Sequence, residues 1–415
     1  MDPYLLDGVD FGDVVLSVAK AILAFVICLV ATMFMVWFER KVVSRLQNRI
    51  GPNTSGPFGI LQTLMDGIKL FFKEDNIPKE ADPFVFRLAP YLSLIPAFLT
   101  FTLIPLGGDF NNGNDGAVTV FGRETFLQVA DPPVGILFFL AMSSLGIYGI
   151  MLAGWASGSK YPLLGSVRAS AQAISYEAAL GLSLAAVVLV TGGLSMNSIV
   201  MQQAGEGFGG IIPNFNIIVT GFIPFAVFLI AGTAELNRPP FDLVEAEQEL
   251  VGGFHTEYSG IRFALFFLAE FMNTVTMAAI IVTLFFGGPA GPAFLGSTLG
   301  WLTGMFWFLL KLLVFLFAFV WFRASLPRFR YDQLMSLGWK LLIPLSLGWL
   351  LVLAGIRVAR NGDLGIADSA FGDTLIVIGV AFAILLIGMY VLRSAMTNAR
   401  RDRLIAAGFN PREVN

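Results

Sequence analysis

The chain has 415 residues and is 56% hydrophobic and only 13% charged, where soluble domains carry about 25% charged residues. Its formal net charge is −3 and its mean hydropathy is +0.77, which excludes an ordinary soluble enzyme and says little about partners. A single cysteine, Cys28, allows no internal disulfide and no iron–sulfur cluster held by this chain alone, and a single histidine, His255, argues against a zinc or haem site.

The acidic start "MDPYLLDGVDFGD" lacks the basic region and cleavage site of a signal peptide, so the first apolar run reads as a retained span. Nine apolar segments are long enough to cross a bilayer as helices: 14–38, 84–106, 132–156, 168–192, 213–234, 262–287, 299–322, 340–358 and 373–392. The expected fold is therefore an all-α polytopic membrane protein. Between the first two spans, "PFGILQTLMDGIKLFFKED" (57–75) sets Leu61, Leu64, Met65, Ile68, Phe71 and Phe72 opposite Gln62, Asp66, Lys69 and Lys73. That pattern predicts an amphipathic helix in the interface, either a plain surface helix or one wall of a lipid-accessible entrance. "GGDFNNGNDG" is a turn-rich connection. Lys and Arg concentrate in the loops after spans one, three, five and seven and in the tail, whereas the alternate loops hold only Arg123, Arg357 and Arg360. The positive-inside rule then places the N-terminus outside and the C-terminus in the cytoplasm. No internal repeat is visible, which argues mildly against many secondary-transporter architectures.

Against this apolar background, "AELNRPPFDLVEAEQELVGGFHTEYSG" (234–260) holds six carboxylates, Glu235, Asp242, Glu245, Glu247, Glu249 and Glu257, and one arginine, Arg238. Glu177 and Glu270 sit eight or nine residues into their spans, roughly 12–14 Å deep at 1.5 Å per residue. Charge at that depth is costly, so these carboxylates are candidates for proton handling. Crowded carboxylates in a low dielectric cannot all ionise cheaply, which makes a proton-responsive path through the loop, Glu177, Glu235 and Glu270 one reading. A solvated acidic surface that docks a basic partner is the other reading for the loop, and a structural hydrogen bond or ion pair the other for Glu177 and Glu270. Lys311, near the middle of its span, is a candidate counter-charge; Lys20 is expected to snorkel outward. The "NRPPF" run is expected to stop a helix, and His255 to be a polar loop residue rather than a ligand.

Four long stretches resemble the H-subunit family (also called subunit 1) of respiratory complex I, the proton-pumping NADH:quinone oxidoreductase: "ERKVVSRLQNRIGPN", "AGWASGSKYPLLGSVRASAQAISYE", "AELNRPPFDLVEAEQELVGGFHTEYSG" and "RASLPRFRYDQLMSLGWK". The resemblance covers roughly residues 14–358. It divides the chain into 1–360, a membrane domain with quinone-chamber loops, and 361–415, an extra span and basic tail that depart from the family's eight-span pattern. It implies a component at the heel of the membrane arm that walls a chamber through which quinone, the substrate, approaches an iron–sulfur cluster held by a neighbour. FMN, the NADH site and the iron–sulfur clusters are implied in partner subunits of the hydrophilic arm, with further membrane subunits and lipid alongside. Carried over by residue, Glu39, Arg40, Arg45, Asp66 and Lys69 map to the chamber mouth, and Leu64, Met65, Ile68 and Phe71 to contacts with the quinone tail. Tyr176, Glu177, Glu235, Asp242, Glu245, Glu247, Glu249 and Glu270, with Lys311, map to an acidic coupling path. None is a catalytic nucleophile. A membrane anchor of a related multisubunit hydrogenase or dehydrogenase, and a standalone ion transporter, are the alternatives. A bacterial plasma membrane is the expected location.

Overall fold

The computed structural model describes residues 10–110, 114–120, 122–205, 214–244, 247–292 and 300–361, with Gly379 and Ala383. Apart from those two residues, the ninth apolar segment, 373–392, and the basic tail lie outside the described residues.

Among the described residues, seven helices are long and apolar enough to cross a membrane. They are α1 (Phe11–Leu46), α3 (Pro83–Phe101), α4 (Gly135–Ala156), α5 (Lys160–Thr191), α10 (Gly260–Phe285), α11 (Gly300–Ser325) and the run from α12 (Tyr331–Leu337) into α13 (Ile343–Asn361). The shorter elements between them are α2 (Gln62–Phe72), the antiparallel hairpin β1 (Ala117–Val120) and β2 (Arg123–Phe126), α6 (Met196–Ala204), α7 (Asn216–Val219), α8 (Phe222–Glu235) and α9 (Glu247–Leu250). Within the described residues the architecture is that of an all-α polytopic membrane protein, and the hairpin is its only sheet.

Two helices run further than their apolar runs predict. α1 has 36 residues and extends to Leu46, and α5 has 32 and begins at Lys160. At 1.5 Å per residue each exceeds the ~30 Å hydrocarbon core, so their polar ends project past it. The fifth expected span is broken instead. α8 has 14 residues, too few to cross alone, and is separated from α7 by Thr220 and Gly221. The cause is local. Gly221 takes φ +80°, and Pro224 has no N–H to offer the Thr220 carbonyl four residues earlier. That freed carbonyl is not left bare: the indole of buried Trp349 donates to it at 2.8 Å.

α10 is the centre of the bundle and is buried over most of its length, whereas α1 is peripheral and turns Val14, Val18, Ile22 and Phe25 outward. One end of the bundle, the charged end, carries the C-terminal part of α1, α2, α9 and the start of α10. Trp155, Trp321 and Trp339 are all exposed near it, the level at which indoles favour a membrane–water interface. The opposite end is held by the hairpin. Arg123 pairs there with Asp10 at 3.1 Å and with buried Asp13, and Lys20 donates to Thr125 at 2.7 Å rather than snorkelling free. The backbone N–H of Phe11, then Arg123, hold the Asp10 carboxyl below its usual range.

Candidate functional site: a buried ion network above an acidic cavity

Arg238 organises the charged end. It follows α8 in the "NRPP" turn and is only 4% exposed. Its guanidinium donates to Glu39 near the end of α1 at 2.5 Å, pairs through Nε with Glu270 of α10 at 3.0 Å, and lies 4.4 Å from the centre of the Phe271 ring. Glu39, itself buried, also accepts from Arg323 at the end of α11. Arg328 then pairs with Asp242 at 2.8 Å. These contacts tie α1, α10, α11 and the 236–244 turn into one cluster. Charges buried this deeply are tolerated only when paired.

Directly below lies a cavity of about 300 Å³ between α3, α4, α5, α8 and α10. Glu235, Glu270, His255, Asn237 and Asn273 are among its polar lining, and Phe139, Met142, Phe266, Phe267 and Met277 supply much of the rest. Glu270 therefore touches both structures, with Arg238 on one side and the cavity on the other. Glu235, the last residue of α8, has a buried carboxylate oxygen with no hydrogen-bond partner among the described residues. Such an oxygen is where a proton or an ordered water would be held.

The loop after the network is clamped onto the helices by aromatic contacts. Buried Tyr258 stacks on Phe86 at 4.0 Å and donates to the Phe86 carbonyl at 3.1 Å, and its burial raises its hydroxyl pKa. His255 lines the cavity between Phe254 and Phe263, and burial pushes its pKa down to about 4, so it is neutral near pH 7.

Comparison with known proteins decides the family. The family model described as NADH dehydrogenase matches residues 19–354. The NADH-quinone oxidoreductase H subunit of Frankia alni is 51% identical over 349 residues, covering 83% of this chain and 74% of that protein. Its counterpart in Frankia casuarinae shows the same figures, and that of Streptomyces avermitilis is 45% identical over 375 residues, covering 88% and 79%. The chain belongs to the NADH-quinone oxidoreductase H-subunit family.

In this H-subunit family member the structure brings together some of the residues anticipated from sequence and separates others. Glu39, Asp242, Glu235 and Glu270 gather around Arg238 and the cavity. Arg40 pairs with Asp66 of α2 at 2.6 Å, Gln62 also donates to Asp66, and Arg45 is exposed in the last turn of α1. α2 packs against α1 and α10, and its Leu64, Met65, Ile68 and Phe71 are all exposed, as is Lys69 on its other face. Glu177 stands beside the cavity rather than in its wall; it accepts from Ser144 of α4, and its charge acts on Glu235. Tyr176 is fully buried and donates to the Leu334 carbonyl at 2.9 Å.

Two of the remaining residues sit elsewhere. Glu249 is exposed and pairs with Arg168 at 2.8 Å, so part of the acidic loop is an ordinary surface ion pair. Lys311 is not a counter-charge to the carboxylates. Its ammonium donates to the carbonyls of Phe286, Gly288 and Ala290 at 2.6–3.0 Å, capping the turn that follows α10. Glu247 lies in α9, its side chain and all of Glu245 falling outside the described residues. Arg238, Arg323 and Arg328 are the members of the ion network that sequence reasoning passed over. For Arg238 the signal available was an arginine inside an otherwise acidic stretch, which predicts a buried partner. Among the described residues no group of His, Cys, Asp and Glu is arranged to hold a metal ion.

Proposed function

We propose that this chain walls the membrane part of a quinone chamber and carries an acidic path that couples quinone reduction to proton translocation. As a member of the H-subunit family it is a multi-pass membrane component of a proton-pumping NADH:quinone oxidoreductase. The observation that carries the finer reading is the double contact of Glu270, which joins the Arg238–Glu39 pair to the cavity that Glu235 also lines. Reducing a quinone to its quinol consumes protons as well as electrons. Negative charge arriving near the arginine cluster competes with Glu39 and Glu270 for Arg238. Glu270, once released, is left in a low-dielectric wall, where the neutral form is favoured, and it draws a proton from the cavity. The network is thus a switch between an ion pair and a protonated acid.

The exposed apolar face of α2, beside Arg40 and Asp66, supplies a lipid-side wall along which an isoprenoid tail would reach the chamber. FMN and iron–sulfur clusters belong in this reading to partner subunits of the hydrophilic arm docked on the charged end, which faces the cytoplasm by its Lys and Arg content. The membrane is then the bacterial plasma membrane, with the N-terminus outside.

The test is to purify the tagged chain in mild detergent, identify the co-purifying subunits, and measure quinone reduction and proton pumping by the wild-type complex and by Glu270→Gln. Flavin and iron–sulfur partners, and a variant that loses most pumping, are expected. A Glu270→Gln complex that pumps normally would remove the coupling role.

A further inference from the structure

The helix that follows α12 contains a π-turn at Gly338–Leu342, closed by the Ile343 N–H on the Gly338 carbonyl. Its cause is visible in the chain. Pro344 has no N–H for the Lys340 carbonyl, which weakens the α-helical pattern there. Its effect is rotational. Buried Leu334, Gly338, Leu342 and Ser346 recur at intervals of four. At 3.6 residues per turn the last would lie roughly 120° around the helix from the first; one extra residue in a turn takes up about 100° of that drift. The π-turn keeps all four in register on a helix whose α12 and π-turn parts pack on α5 and whose α13 part packs on α5 and α8.

That helix meets α5 at the residues before Glu177. Gly338 backs onto the Tyr176 ring, with room for a Cβ at 3.6 Å, and the Tyr176 hydroxyl donates to Leu334 just before the turn. Trp339, within the turn and largely exposed, directs its indole N–H to the Ser175 hydroxyl at 3.1 Å. Ser175 is 4% exposed and spends its own proton on the Ala171 carbonyl at 2.7 Å. Its remaining acceptor capacity therefore points to a donor, and Trp339 supplies it.

We propose that Trp339 is a positioning residue for Glu177: through Ser175 and the π-turn it holds the α5 segment that presents the Glu177 carboxylate to Ser144. The proposal rests on the reading of Glu177 as part of the proton path. A change in the register of the π-turn rotates Trp339 away from Ser175 and loosens the packing of the α12–α13 helix on the face of α5 that carries residues 175–177. The turn is thereby a mechanical link between the α12–α13 helix and the acid.

The test compares Trp339→Phe, Ser175→Ala, the double variant and Glu177→Gln in the intact membrane complex, reading the pH profile of NADH:quinone reduction and the pumping ratio. Trp339→Phe keeps an aromatic ring and removes the N–H. The expected result is a profile displaced by about half a unit or more in both single variants, the scale of one hydrogen bond, with no further displacement in the double variant. An unmoved profile in Trp339→Phe, when Glu177→Gln alters it, overturns the positioning role and leaves the Glu177 reading standing. A Glu177→Gln complex with normal profile and pumping overturns that reading itself. If Trp339→Phe does not assemble, Ser175→Ala, which loses only a hydroxyl, decides: an unmoved profile there is refutation.

Discussion

Arg238 gives the sharpest test of the ion network. Arg238→Met keeps an unbranched apolar stem and deletes the guanidinium that joins Glu39 at 2.5 Å to Glu270 at 3.0 Å. Glu39 retains Arg323, but Glu270 loses its direct cation. Removing one partner of a fully buried pair costs about 3–5 kcal/mol, but the stranded Glu270 side chain is 31% exposed, so a loss of about 2 kcal/mol is expected, with about 1 kcal/mol more for the lost contact with Phe271. Against a typical domain stability of about 5–15 kcal/mol this is a large fraction. The assay is the apparent thermal midpoint of the purified complex at fixed heating rate, together with a double-mutant cycle against Glu270→Gln. Glu270→Gln in the Arg238→Met background is expected to recover about half the loss or more, since it neutralises the stranded charge. A midpoint in Arg238→Met equal to wild type, or single-variant losses that simply add, refutes the network as described.

Trp349→Phe removes the donor to the Thr220 carbonyl and leaves it buried; a loss of about 1–3 kcal/mol is expected, with faster amide exchange across 216–224 as the readout. Gly304→Ala places a Cβ 2.2 Å from the Gly108 carbonyl oxygen, backbone that cannot swing aside, so the yield of assembled complex should fall several-fold, measured by native gel. His255 has its pKa lowered from 6.5 to about 4, so the folded state resists a proton that the unfolded chain accepts. Its contribution is fully present above pH 6.5 and is lost as pH falls toward 4, amounting to at most about 3 kcal/mol. His255→Gln should flatten the acid limb of the thermal midpoint between pH 7 and 5; an unchanged limb means that other groups set it.

Much of the architecture was legible because membrane insertion sums a local property. A run of about 20 apolar residues is a candidate span wherever it falls, and seven of the eight described apolar segments became helices long enough to cross, with the helical stripe at 61–72 becoming α2. The break between α7 and α8 was less legible. Hydropathy averages over Gly221 and Pro224, and both α7 and α8 are apolar, so the window sees one span. Lys311 misled for a related reason: a cation within an apolar helix reads as a counter-charge, but carbonyls at a helix end serve as well as a carboxylate.

By itself the sequence determined the class and where the described apolar helices fall along the chain. Only the tertiary structure decided which charges meet. Arg238 is 199 residues from Glu39, and Arg323 is 284 from it. A burial cost is written into each residue, whereas the partner that offsets it is chosen by how the helices pack. The same holds for the cavity, which belongs to no single helix, and for the π-turn, whose register makes sense only against α5 and α8.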